Sequence, residues 1–228
     1  MKKYGFGVDI GGTTIKMGFF ETEGKLIDKW EIKTDTTGGG ENILADIAKA
    51  IDEKLAAEGI SKDDVQGVGV GVPGPVRADG FVNRCVNLGW GVFDVTNALS
   101  ELTGLTVKAG NDANVAALGE MWQGGAKGAK DVIFVTLGTG VGGGIIVDGK
   151  LVAGHDGAGG EIGHFTVNYN ETEHYAYSVP LAERYLALYL ADHSAHSREG
   201  VDKTEMLIAL RLIAFKRKRG ELLVTRHL

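Results

Sequence analysis

A chain of 228 residues, 43% of them hydrophobic and with mean hydropathy near zero, is long enough for one large or two small soluble domains. Its formal net charge of −6 argues against a protein that wraps a nucleic-acid backbone, and its single cysteine, Cys85, excludes an internal disulfide and points to a reducing compartment. The N-terminus reads as a strand rather than a signal peptide, and no apolar stretch is long enough to cross a bilayer, so the expected setting is cytoplasmic, with neither membrane nor nucleic acid as partner.

In chain order, Tyr4 to Ile10 and Ile15 to Phe20 are rich in β-formers and flank Gly11-Gly12, which predicts a hairpin. A third strand follows at Leu26 to Lys33, then a glycine break at Gly38-Gly39-Gly40. Ile43, Leu44, Ile47, Ala48, Ile51 and Leu55 recur at helical spacing, with Gly59 as the stop. Val65 to Val72 alternates valine with glycine, the pattern of a strand whose bare face is closely approached by other backbone. Pro73 to Asn97 has little periodicity and reads as a loop over a cleft. Thr106 to Ala109 is a short strand, Val115 to Trp122 a helix, and Val132 to Thr136 opens a second strand-turn-strand unit. Strands first, then alternating helices and strands, indicate a mixed α/β chain of two related halves, with a hinge expected near Asn111 to Gly128.

The two glycine-rich turns, Asp9 to Lys16 and Thr136 to Gly144, suggest two halves closing on one phosphorylated ligand. Glycine permits positive φ and removes the Cβ, letting backbone N–H groups of Gly11 and Gly12 approach a polyphosphate while Thr13 and Thr14 add hydroxyls. Asp9, at the strand end, suits Mg²⁺ or its water shell, and Lys16 supplies a point charge. An ordinary tight hairpin is the competing explanation for either turn taken alone. No G-x-x-x-x-G-K-[ST] segment occurs. Gly69, Gly71 and Gly74 fit G-x-G-x-x-G, but Pro73 and Pro75 stand where a helix would open, so the dinucleotide reading fails on context.

Gly110-Asn111-Asp112-Ala113-Asn114 puts polar side chains at a strand-to-helix turn. Either Asn111 or Asp112 is simply the helix cap, or Asp112 is a base that takes a proton from a hydroxyl attacking phosphorus, kept ionised by the positive helix end. Gly159-Gly160-Glu161-Ile162-Gly163-His164, with His155 nearby, is a second polar group; Glu161 suits sugar hydroxyls, and His164 either donates to one or binds a metal. The basic run Lys216 to Arg219 reads as a solvated helix face.

Six segments in this order, Val8 to Lys16, Gly71 to Val76, Asn87 to Trp90, Gly110 to Asn114, Thr136 to Gly144 and Gly160 to His164, resemble the ROK sugar kinases, within them the bacterial glucokinases, over Met1 to about Asn168. The resemblance implies an actin-like ATPase (ribonuclease H-like) fold, two lobes around a nucleotide cleft, and phosphorylation of a hexose, most simply glucose, by ATP with Mg²⁺. By the same resemblance Asp112 is the catalytic base. Gly74, Asn111, Glu161 and His164 hold the sugar with it, and Gly11 to Thr14 and Thr136, Gly138, Thr139 and Gly140 are the two phosphate loops. The implied organisation is a lobe over 1–115, the start of a second, incomplete lobe over 116–168, and a helical or disordered non-family tail over 169–228. A homodimer through the C-terminal domain is also implied.

The family's C-x-C-G-x-x-G-C-x-E element, whose cysteines join the histidine at His164's position around zinc, has no counterpart beyond Cys85. Codons compatible with Leu181 to Arg184, read in another frame, encode Cys-Gly-Lys, so an out-of-frame or rearranged tail from about Tyr169 is expected. Leu181, Tyr185, Leu188 and Tyr189, and then Met206, Leu207, Leu210 and Ile213, fall at helical spacing. The alternatives to an active kinase are a catalytically impaired fragment and a sugar-binding regulator of the same family. The regulator is disfavoured because Asp9 follows almost at once from Met1, leaving no room for a helix-turn-helix.

Overall fold

Alternation of Phe6, Val8 and Ile10 with Gly5, Gly7 and Asp9 gives β1 (Tyr4–Ile10) one fully apolar face and one face nearly without side chains. In the computed structural model, which describes residues 2–137 and 141–164 and the strands at 213–218 and 221–226, the apolar face is buried. β1 pairs antiparallel with β2 (Thr14–Glu21), Ile10 opposite Ile15, and β2 pairs with β3 (Leu26–Lys33). On its other side β1 is joined in parallel by β4 (Val65–Val72), and β4 by β7 (Val107–Asn111), giving the order β3-β2-β1-β4-β7.

α1 (Ile43–Glu58) buries Ile43, Leu44, Ile47, Ala48, Ile51 and Leu55, the predicted stripe, and Gly59 ends it in the left-handed conformation with φ of 64°. These side chains share one continuous core with Phe6, Val8, Ile15, Met17, Phe19, Val68 and Val70. Burying each large aliphatic or aromatic side chain contributes about 1.5–3 kcal/mol, so the face of β1 that packs here fixes which face carries Asp9.

Pro73 to Asn97 is more ordered than its composition suggests. It holds a small hairpin of β5 (Phe81–Val82) and β6 (Phe93–Asp94) and the start of α2 (Val95–Thr103). The signals of α2 were present: Asp94 caps it by accepting from Asn97 N at 2.9 Å, and Gly104 closes it. The intervening turn is held by tertiary contacts invisible to periodicity, chiefly Trp90 Nε1 donating to Gly40 O at 3.1 Å and the edge of Trp90 on Phe93.

Because β1, β4 and β7 run parallel, their C-terminal ends open onto one edge of the sheet. That edge carries Asp9, the turn Gly11 to Thr13, the turn after Val72, and the first residues of α3 (Asp112–Gln123). In open α/β sheets, ligands bind outside the carboxyl ends of the strands.

The chain divides into two compact units, 1–115 with 153–158, and 116–152 with 159–228. Within the first unit, Asn83 Nδ2 donates to Asp156 O at 2.9 Å and ties the 153–158 segment to the turn before β6. The second unit contains β8 (Val132–Leu137) and β9 (Val141–Val147), antiparallel with Leu137 opposite Val141, as the second strand-turn-strand reading expects. β10 (Lys150–Leu151), β11 (Ile213–Lys218) and β12 (Glu221–Arg226) complete a sheet of order β10-β9-β8-β11-β12. Ala117, Ala126, Val132, Phe134 and Ile146 form its small core.

The tail differs from expectation where it is described. Ile213 and the basic residues Lys216 to Lys218 lie on β11, which pairs with β8 and β12, and not on a helix. Alternating residues of 213–218 and 221–226 also fit period two, and pairing with β8 selects the strand. The expected helix around Leu181 to Tyr189 lies outside the described residues. No helix among the described residues is long and apolar enough to cross a membrane.

Candidate active site

The turn after β1 is tight. Gly11 N–H donates to Thr14 O at 3.0 Å, and a Cβ on Gly11 would stand 2.7 Å from that same oxygen. Neither Gly11 nor Gly12 takes the left-handed backbone, so the expectation that they supply positive φ is corrected: Gly11 is needed because the turn has no room for a side chain. Gly12 and Thr13 are exposed, and their backbone N–H groups make no hydrogen bond among the described residues. Two adjacent donors without a partner among the described residues, on an exposed turn, are available to an anion. Lys16 is the register partner of Asp9, and both are exposed on the same face of the sheet.

At the end of β7 the competing explanations for Asn111 and Asp112 separate. Asn111, 8% exposed, is the cap: its Oδ1 accepts from Asn114 N at 3.1 Å, and its Nδ2 donates to Gly74 O at 3.3 Å. Both ends of the amide are thus engaged, and Gly74 enters the site through its carbonyl. Asp112, the first residue of α3, is released from capping; its Oδ1 accepts the adjacent Ala113 N at 2.8 Å, and the Asn111 side chain and its own backbone N–H also hydrogen-bond the carboxyl.

Burial pushes the Asp112 carboxyl above its ordinary value, the Ala113 N–H partly offsets this, and the negative charge of Asp9 pushes it up further. The helix end therefore does not dominate, as the sequence suggested; desolvation outweighs it. A raised pKa makes this carboxylate a stronger proton acceptor once ionised.

Asp9 reaches the same place from β1. Its register partner on β4 is Gly71, and a Cβ on Gly71 would lie 3.7 Å from Asp9 Oδ1, 3.5 Å from Asp112 Cα and 3.0 Å from Val115 Cγ2. The glycine expected to allow close backbone approach does so between the two acidic residues. Asp9 makes no hydrogen bond or ion pair among the described residues, so its carboxylate is available to a cation such as Mg²⁺.

In the second unit, Thr136 pairs with Gly142 across the hairpin, while Gly138, Thr139 and Gly140 lie outside the described residues. Glu161 is half-buried and precedes a single turn, Ile162–His164, in which His164 N–H donates to Glu161 O at 3.1 Å; His164 itself is exposed. Zinc in the family's manner does not fit this chain. Its one cysteine, Cys85, is buried in the first unit with Sγ–H donating to Pro73 O at 2.9 Å. Burial pushes that thiol up, so it stays protonated, and among the described residues no three His, Cys, Asp or Glu side chains are grouped.

Thr34 is a part of this site that pattern reading does not single out, and Gly71 is named there only within motifs, without its place between Asp9 and Asp112. A threonine just past a strand has no periodic or motif signature, and what Gly71 separates depends on which strands lie beside β4.

A parallel-edged mixed sheet bearing a donor-rich hairpin turn and an aspartate at the neighbouring strand-to-helix turn defines the actin-like ATPase class of fold, and solved structures agree. A ROK hexokinase from Thermus thermophilus superimposes with a TM-score of 0.67 at 29% identity, over 91% of this chain and 73% of that one. A ROK family glucokinase from Streptomyces griseus, in complex with glucose and AMPPNP, gives 0.63 at 32% identity, over 84% and 62%. A profile of the ROK family matches residues 5–176, somewhat beyond the Asn168 limit of the recognised motifs, and the chain belongs to that family. Among curated relatives, a glucokinase of Halalkalibacterium halodurans is 51% identical over 162 residues, 71% of this chain and 49% of that protein. One from Thermotoga maritima is 38% identical over 166 residues, 72% and 51%. The chain spans about half the length of the curated relatives it matches.

Proposed function

We propose that this chain carries the catalytic half of an ATP-dependent hexose kinase acting on glucose. The observation that carries the reading is the carboxylate of Asp112, free of capping, raised by burial, and one glycine away from Asp9 at the mouth of a donor-rich turn. Glucose is the acceptor favoured by the relatives at 51% and 38% identity, both glucokinases.

In the proposed reaction the primary hydroxyl of the sugar approaches the γ-phosphorus of ATP. Asp112 takes its proton as the new O–P bond forms and the bond to the bridging oxygen of ADP breaks. The N–H groups of Gly12 and Thr13, with the hydroxyls of Thr13 and Thr14 and the charge of Lys16, hold phosphate oxygens. Asp9 would hold Mg²⁺ or its water shell, which neutralises phosphate charge. Asn111 positions the first turn of α3 through Asn114, and, with acceptor capacity left on its amide oxygen, it is proposed with Gly74 as part of the sugar site on the family resemblance. Glu161 and His164 are proposed as further sugar ligands and Thr136, Gly138, Thr139 and Gly140 as the second phosphate loop, on the family resemblance. The same resemblance supports the lobe assignment of 1–115 and 116–168, a homodimer and a cytoplasmic setting.

The test is a coupled assay of ADP release by the full chain. Expected is turnover that requires both glucose and ATP and disappears in Asp112→Asn. Turnover no greater than that of Asp112→Asn would overturn the kinase reading in favour of an impaired fragment.

A further inference from the structure

We propose that Thr34 is a positioning residue that sets the polarity of the phosphate-binding turn, an inference that rests on the kinase reading. Thr34 follows the last residue of β3 and is only 5% exposed, a buried polar side chain behind an exposed turn. Its hydroxyl donates to Gly11 O at 2.6 Å, and its backbone N–H donates to Thr13 O at 3.0 Å. One residue thus grips the turn at both ends from the rear.

The consequence follows from peptide geometry. The peptide bonds here are trans, so the C=O of one residue and the N–H of the next point in opposite directions. Drawing Gly11 O back toward Thr34 aims the Gly12 N–H outward, and that N–H has no partner among the described residues. Glycine at 11 and 12 gives this peptide little steric resistance to flipping, and a flipped peptide would present a carbonyl oxygen to an incoming phosphate. The Thr34 hydroxyl makes the flip unfavourable by offering the carbonyl a buried donor that would otherwise be lost. Apart from the Thr34 bond, neither polar group of the Gly11–Gly12 peptide has a partner among the described residues; the Gly11 N–H, bonded to Thr14 O, belongs to the preceding peptide.

The inference is tested on the full chain by calorimetric titration with Mg·ATP and, separately, with glucose. Thr34→Val keeps the side chain's shape and removes the donor; roughly tenfold weaker Mg·ATP binding is expected, the scale of one buried hydrogen bond. Glucose affinity should stay within about twofold, and Thr34→Ser should recover most of the loss, since it restores the hydroxyl. Unchanged Mg·ATP affinity in Thr34→Val, or equal losses for both ligands without rescue by serine, would overturn the inference while leaving the kinase reading intact. A wild-type chain that binds no Mg·ATP would overturn both. A second measurement needs no substitution: on adding Mg·ATP to the wild-type chain, the Gly12 amide resonance should move strongly and the Gly11 amide little. The reverse pattern would sink the assignment even if Thr34→Val does not fold.

Discussion

Asp9 and Asp112 come from different strands and stand on either side of Gly71, whose missing side chain leaves 3.7 Å to Asp9 Oδ1 and 3.5 Å to Asp112 Cα. Each acidic residue thereby acts in the other's field, and the negative charge of Asp9 is one cause of the raised Asp112 carboxyl.

Replacing Asp112 by Asn should separate activity from stability. Loss of a general base predicts a fall in kcat on the order of 100- to 10,000-fold. Stability should move the other way. Since the folded-state pKa of Asp112 is raised, its ionised form is disfavoured by folding, and the native state carries a penalty at pH above that raised value. Asp112→Asn should therefore melt higher than the wild type at pH 7 to 8. The gain should vanish as pH falls below the ordinary value of 3.8. Thermal melts across pH check the sign; a lower Tm for the variant at pH 8 would contradict the burial argument.

Removing the neighbouring charge gives a second, directional expectation. In Asp9→Asn the carboxyl of Asp112 should titrate at lower pH than in the wild type, while remaining above an ordinary aspartate because burial, the larger cause, persists. Carbon-detected NMR titration of the Asp112 carboxyl reads this directly, independently of turnover.

Gly71→Ala should press on the first turn of α3 through Val115, since its Cβ would make only ordinary contacts with Asp9 Oδ1 and Asp112 Cα. The new methyl group would lie 3.0 Å from Val115 Cγ2, tighter than ordinary packing, at a cost of about 1–3 kcal/mol. Displacing Asp112 by even about 1 Å predicts a loss of activity on the order of 100-fold. Val115→Ala in the same chain should recover part of both losses, a coupling that a double-mutant cycle measures.

Adjacent glycines should respond differently to alanine. At Gly11 the Cβ meets Thr14 O at 2.7 Å and the backbone must move, so about 1–3 kcal/mol of stability is lost. At Gly12 the nearest atom is Asn87 O at 3.8 Å, an ordinary contact, and stability should stay within about 0.5 kcal/mol of wild type. Urea unfolding of the two variants tests the contrast; equal losses would show that the turn is not as tight as described.

Trp90→Phe would remove the indole donor and leave Gly40 O only the Ile43 N–H at 3.3 Å, and should cost about 0.5–1.5 kcal/mol with little effect on the chemistry. A chemical-denaturation midpoint that does not move would indicate that water takes the place of the indole N–H.

The parts of the fold legible in the sequence are those with a local period. β1, β2 and β3, the stripe of α1 and its stop at Gly59 all follow from side-chain alternation, 3.6-residue spacing and backbone preference. Asp112 was found by its place between a strand and a helix, but whether it or Asn111 caps α3 was not readable, because both can accept the same backbone N–H groups. α2 lies at the end of an aperiodic run that hides its start, although Asp94 and Gly104 mark its ends. At 213–218 a short apolar and basic segment suited either period, and only pairing with β8 made it a strand.

By itself the sequence determined the kinds of group available: a glycine-rich turn with spare donors, an acidic strand-helix junction, a lone cysteine unable to build a zinc site, and the ordered motifs that mark the family. Only the tertiary structure decided their electrostatics and aim. Desolvation at Asp112, the carbonyl of Gly11 drawn back by Thr34 from 23 residues away, and the two carboxylates set around Gly71 all depend on which strands lie side by side. That adjacency is created by burying the shared apolar core, a sum over many residues that no short window of sequence contains.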